Sequence, residues 1–239
     1  MAIADTRITS GTDTTTKKKI SLHQGDHHSI FIMTSGLRSV RDKAITYFKD
    51  LMEESGSFNK LYKAVNAFGE QVRRVAEEDR GALERAGLKF NLNTIIGGQM
   101  KDDEEHKLYL LYPEGNWVEL DQGSPFVIIG NSGYGKPILS RTLDTHSSMD
   151  QALKAGFLSF DSTRVSANDV DFPIDVVLYR KDSFALAEHR YEKKDLEHIS
   201  YLWEQELKAI LNNIPEVWME AALNKLPERK EEITPNPQI

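Results

Sequence analysis

Apolar and polar positions change rhythm twice along this chain of 239 residues. Ala2, Ile3 and Ala4 run into Asp5, Thr6 and Arg7, which reads as a buried strand. A Thr/Gly/Asp turn region follows. Ile20-Ser21-Leu22 then opens a strand behind Lys17-Lys18-Lys19, and a further strand ends at Thr34-Ser35-Gly36. Beyond Gly36 the apolar period lengthens from about two to about 3.6. Val40, Ala44, Tyr47, Phe48 and Leu51 share one face, predicting an amphipathic helix over 39–54 that Ser55-Gly56-Ser57 breaks. Leu61, Val65, Phe68, Val72 and Val75 mark a second helix, with Gly87 as its C-cap.

The short period returns over 90–130. Phe90 to Gln99, His106 to Tyr112 and Trp117 to Leu120 read as strands, and Pro113-Glu114-Gly115-Asn116 supplies a turn. Pro125 to Gly130 reads as a fourth strand, buried on both faces. Helices are expected at Lys136–Leu143 and from Met149 to about Thr163, the latter capped by Ser148 with Asp150 in its first turn. Two more strands are expected at Pro173–Tyr179 and Ser183–Ala187. A helix follows over 193–211, striped by Leu196, Ile199, Trp203, Leu207 and Ile210. Grouped strands and paired helices predict a layered α+β sandwich rather than a βαβ array. One domain is expected over 1–226, including a C-terminal helical extension from about 193, with a charged, proline-containing disordered tail over 227–239.

Composition narrows the function. The chain is 39% hydrophobic and 28% charged, with a net charge of -7 and a pI near 5.6. An acidic chain argues against nucleic acid or an anionic membrane as the main partner. No apolar run approaches the ~20 residues that span a bilayer. The first residues lack a signal-peptide pattern, and a cytoplasmic location is expected. Without cysteine there is no disulfide framework, thiol nucleophile or Cys-based zinc site. His23, His27 and His28 surround Gly25-Asp26 in what reads as a solvated hairpin. No spaced carboxylates join them, so no metal is expected. The run Gly130-Asn131-Ser132-Gly133-Tyr134-Gly135-Lys136 is glycine-rich, yet Pro137 stands where a phosphate loop needs Ser or Thr. It reads as a tight turn, and no cofactor is expected.

Four positions could carry chemistry. A hydroxyl nucleophile is weak at neutral pH and needs a nearby base or electrostatic help. Asp5 and Lys19, held together by a short strand pair, could supply that help. Any of Lys17, Lys18 and Lys19 could point inward; Lys19 directly precedes the apolar strand. Gly36, at a strand-to-helix turn, could donate its amide to a developing oxyanion. Ser132 could lie beside the same site, with Asn131 competing for that place.

These residues also occur in a familiar order. Ala4-Asp5-Thr6-Arg7, the Lys19-Ile20 strand start and Thr34-Ser35-Gly36 resemble the front half of proteasome β-type subunits. Thr94-Ile95-Ile96-Gly97-Gly98-Gln99, Leu110-Leu111-Tyr112-Pro113-Glu114-Gly115-Asn116 and Tyr134-Gly135-Lys136-Pro137-Ile138-Leu139 are similar to one branch of that family. It is the bacterial proteasome-type proteases called Anbu, the ancestral β-subunit group, and the likeness runs over nearly the whole chain. The resemblance implies the four-layer αββα fold of N-terminal nucleophile hydrolases and self-assembly into a homo-oligomeric ring or spiral. It implies peptide or protein substrates cut by a terminal threonine. Asp5 and Lys19 match the supporting pair, Gly36 the oxyanion glycine, and Ser132 falls near the supporting serine. Ser166 and Asp169 fall near the family's Asp-x-x-Ser with the residue types exchanged, and are set aside.

The family's threonine stands about a dozen residues before the position of Asp5, on a strand that residues 1–239 do not contain. Either the start is placed too late or the chain is a degenerate paralogue. The expected function is therefore a proteasome-type threonine peptidase subunit, inactive as written. The alternatives are a non-catalytic assembly subunit and an amidohydrolase acting on small amides.

Overall fold

The computed structural model describes residues 1–10, 13–55, 58–121 and 123–227. The chain divides into two compact units, Met1–His198 and Ile199–Ile239.

The first unit opens with β1 (Ala2–Asp5), β2 (Arg7–Ser10), β3 (Asp13–Thr16), β4 (Ile20–Gly25) and β5 (His28–Gly36). Helices α1 (Arg38–Ser55) and α2 (Leu61–Arg85) follow, then β6 (Leu92–Met100), β7 (Lys107–Leu111) and β8 (Trp117–Glu119). The unit continues through α3 (Lys136–Thr142), α4 (Met149–Ser166), β9 (Ile174–Tyr179) and β10 (Leu186–Tyr191). Helix α5 (Lys193–Asn213) crosses the division between units and α6 (Val217–Leu223) lies wholly in the second.

Among the described residues the strands form a five-stranded antiparallel sheet, β4-β5-β6-β7-β8, a three-stranded one, β1-β9-β10, and the β2-β3 hairpin. The alternation along β5 sorts its side chains between two cores. Ile30 and Ile32 pack with Val40, Ala44 and Phe48 of α1 and with Leu61, Phe68 and Val72 of α2. Phe31, on the opposite face, packs with Ile20 and Ile95 against Ala2, Ala4 and Val177 of the smaller sheet. On the far side of that sheet, α4 brings Gly156 so close to the Ile3 side chain that an added Cβ would overlap it. Helix α3 packs on α4. The layers therefore run helix, sheet, sheet, helix, the expected αββα sandwich.

The sequence expectations meet this structure unevenly. All five apolar positions read for α2 are buried, and α4 starts at a Ser148 capping box closed by Gln151. Helix α2 has no cap from its own first turn. Instead the Asp103 carboxylate, after β6, accepts the Leu61 N–H at 3.0 Å and the Met100 N–H at 2.9 Å.

Residues 125–130 form no strand. Val127 and Ile129 still pack into the core between the sheets, but their backbone joins no ladder. Strand β10 starts three residues later than expected, because Asp182 and Phe184 take positive φ and lengthen the turn before it. It is an edge strand, exposed on both faces between its half-buried ends. His23 is not in a solvated loop. It stands on β4 with its ring 5.5 Å from Phe48 and its Nε2 buried, and only Asp26-His27 form the turn. The tail expected over 227–239 lies, after Pro227, outside the described residues.

Candidate active site

Strand β1 is fixed to β9 by register pairing from Ala2↔Val177 to Asp5↔Ile174. Just beyond it, Thr6 donates both its N–H and its hydroxyl to the Pro173 carbonyl at 3.0 Å. Thr6 is fully buried and its hydroxyl is engaged, so this threonine serves the scaffold. Asp5 is thereby set at the end of a strand that cannot slide.

The lysine run splays in three directions. Lys17 bonds Asp42 of α1 at 3.0 Å, Lys18 pairs with Glu188 of β10, and Lys19 turns inward to Asp5. Its Nζ lies 2.7 Å from Asp5 Oδ1, with side-chain exposures of 22% and 9% for the lysine and the aspartate. The Lys19 carbonyl accepts from the Thr34 N–H at 3.3 Å, which ties the lysine to β5. The other Asp5 oxygen accepts the Arg7 N–H at 2.9 Å. Burial holds the Asp5 carboxyl above the usual carboxylate range, while Lys19 and the Arg7 and Asp171 backbone pull the other way.

The pair lines a cavity of about 510 Å³ in the first unit. Its polar lining residues include Thr34, Ser35, Asn131, Ser159 and Asp169. Its apolar lining residues include Phe31, Ile95, Leu108, Phe126 and Ile129. The Thr34 Oγ1 is buried and has no hydrogen-bond partner among the described residues. His106, also in the lining, stacks edge-on with Tyr179 at 6.1 Å.

Of the four positions singled out in the sequence, Asp5 and Lys19 are brought together. Gly36 and Ser132 lie one residue away from lining residues, Ser35 and Asn131, and are not themselves in the lining. Gly36 has φ +135°, and an added Cβ would strike the Asn91 carbonyl just before β6. Ser132 is exposed, and its carbonyl accepts the Lys136 N–H at 3.2 Å as α3 begins. Ser35 was missed by the sequence reading, although it follows Phe31 and Met33 at the two-residue spacing of their face. Gly130 crosses close to its hydroxyl.

The arrangement can hold a lysine ammonium, oriented by a buried carboxylate, at the wall of a cavity large enough for a few residues of peptide. Two face-packed antiparallel sheets between helical layers are the architecture of a proteasome-like subunit. Among solved structures the chain is similar to a mutant Anbu from Hyphomicrobium sp. strain MC1, with 30% identity and TM-score 0.82 over 90% of this chain and 92% of that one. Anbu (ancestral beta-subunit) from Yersinia bercovieri matches at 29% identity and TM-score 0.82, covering 89% and 92%. A helical assembly of the Anbu complex from Pseudomonas aeruginosa matches at 27% and TM-score 0.83, covering 89% and 91%. The chain belongs to the Anbu family, the ancestral β-subunit branch of the proteasome-like proteins. No family model and no curated protein matches it.

Proposed function

We propose that this proteasome-like subunit, when it carries an N-terminal strand with a leading threonine, is a threonine peptidase that cleaves peptide amide bonds, with Asp5 and Lys19 supporting the nucleophile. The observation that carries the reading is the 2.7 Å Lys19–Asp5 contact in the wall of a peptide-sized cavity. In this mechanism a terminal threonine hydroxyl adds to the substrate carbonyl while its own α-amine accepts the proton. The Lys19 ammonium favours the alkoxide-like character of the attacking oxygen, and Asp5 keeps the lysine aimed. The carbonyl oxygen becomes an oxyanion, for which the Gly36 amide is the candidate donor. Collapse expels the amine leaving group, which takes the proton from the α-amine. Water then hydrolyses the ester and restores the threonine.

The test is direct. The chain is produced with an N-terminal extension that is processed to expose a leading threonine, and release of a fluorophore from peptide amides is followed. Threonine-dependent hydrolysis that falls more than about a hundredfold in Lys19→Ala is expected. A folded, extended protein that cleaves no peptide amide would instead make this an assembly subunit.

We further propose that copies of the chain self-associate. Support comes from the helical assembly formed by the relative from Pseudomonas aeruginosa and from the exposed apolar side chains of α5 and α6.

A further inference from the structure

We propose that the cavity is a strand acceptor: it binds a short apolar peptide supplied as a separate chain, and the bound peptide completes a ladder between β1 and residues 125–131. The inference rests on the peptidase reading only for what the first residue of that strand does there; binding is tested apart from cleavage.

Two stretches of unpaired backbone border the cavity. On one side are Met1 to Asp5, all of them in the lining. Strand β1 ends its sheet, with β9 on one edge and no described strand on the other. Thr6 turns its N–H to Pro173 on the β9 side, so by strand alternation the N–H groups of Ile3 and Asp5 point to the free edge. On the other side are Pro125 to Asn131, again all in the lining. Their apolar run, Phe126-Val127-Ile128-Ile129, has the composition of a strand, yet no backbone hydrogen bond joins it to another segment among the described residues.

An edge that faces water is guarded by charge, as the opposite border of the same sheet shows: β10 sets out Glu188, His189 and Arg190. Strand β1 has no such guard. It carries Ala2, Ile3 and Ala4, with both alanines buried, where unpaired backbone groups are costly. A peptide strand between the two borders would satisfy both, the mode of recognition known as β-augmentation. Five or six extended residues, about 17–20 Å, match their length. Strand β1 sends Ala2 and Ala4 toward Phe31 and Ile95 and Ile3 toward Gly156 of α4. A neighbouring strand would alternate in the same way, between the Phe31–Met33–Ile95 wall and the small Ala152, Gly156 and Ser159 of α4. The lining also holds the Met1 α-amine, Lys19, Asp5 and Asp169, and a ladder of amide hydrogen bonds requires no net charge from them. Antiparallel to β1, the strand begins beside the Asp5–Lys19 pair, where a leading threonine would meet its supporting groups.

The experiment titrates the peptide Thr-Val-Ala-Val-Ala-Val into the full chain by calorimetry, with hydrogen exchange read at single amides. Binding should slow exchange at Ile3 and over 126–131. Two further peptides carry backbone N-methyl groups, on the valines in one and on the alanines in the other. The N–H groups of these two sets point to opposite edges, so each substitution should weaken binding by about tenfold or more. Weakening by one set alone means a strand added to a single border and overturns the two-sided seat. No binding, or binding that neither set weakens, overturns the strand acceptor and leaves the peptidase reading standing, since that reading is tested in the extended chain. Two-sided binding with no hydrolysis of a fluorogenic peptide amide keeps the acceptor and counts against the peptidase.

Discussion

At the scale of single residues, His23 has the most unusual surroundings. Burial, with Lys49 and His28 nearby, pushes its pKa down to about 4. Its buried Nε2 has no partner among the described residues. A histidine that is neutral when folded and titrates near 6.5 when unfolded favours folding above that pH. Stability is then lost as the pH falls from about 6.5 to about 4, by about 2–3 kcal/mol from this ring. His28, also lowered by burial, adds in the same direction. Urea midpoints at neutral pH and near pH 4.5 should show a smaller loss for His23→Gln than for the parent protein. An equal loss in both would assign the acid sensitivity elsewhere. None of this is legible in the sequence, where His23, His27 and His28 cluster as one polar loop. The hairpin separates them: His23 on β4 turns toward Phe48 of α1, His27 stays in the turn and His28 opens β5.

At the scale of elements, periodicity was a good guide to type and a poor one to anchorage. The stripe of α2 reads directly because every one of its members finds a sheet to cover. The cap of that helix could not be read. Asp103 reaches Leu61 from 42 residues away, and no local motif encodes such a contact. Gln99 behaves similarly. It receives the Tyr179 hydroxyl at 2.8 Å and the Asp182 N–H at 3.0 Å, tying β6 to the turn after β9. The Asp5–Lys19 pair was legible because Asp5 closes one apolar strand and Lys19 directly precedes another, whereas Ser35 lay hidden behind the more conspicuous Gly36. Gly36 itself offers a test of how strictly β5 must end. Gly36→Ala forces a side chain into a left-handed backbone and against the Asn91 carbonyl, and should cost about 3 kcal/mol or more. A denaturant midpoint unchanged from the parent would show that the strand end yields at little cost.

At the scale of the whole molecule, no helix among the described residues is long and apolar enough to cross a membrane. The same periodic logic that succeeds for α2 meets a different outcome in α5, whose stripe leaves Leu196, Ile199 and Trp203 half-buried and Leu207 and Ile210 exposed. Ile210 is 53% exposed and Trp218 of α6 is 70% exposed. Spacing reports that a helix has an apolar face; it says nothing of what covers it. With self-association as proposed, light scattering should find the parent chain as a multimer at micromolar concentration. Combining Leu207→Glu, Ile210→Glu and Leu211→Glu should lower its mass toward that of one chain, with helix content kept. An unchanged mass would move the contact off α5.

Strand β10 carries a consequence for how this protein survives at high concentration. An edge strand exposed on both faces offers a row of unpaired backbone groups on which another chain can template. Here the outer residues are Glu188, His189 and Arg190, with Glu188 engaged by Lys18 and Arg190 gripping the buried Asp175 through two hydrogen bonds of 2.7 and 2.9 Å. A second strand approaching this border would have to desolvate or dislodge those charges. The polar run after Ala187, which the sequence reading left outside its strand, is thus what opposes growth of the sheet at this border.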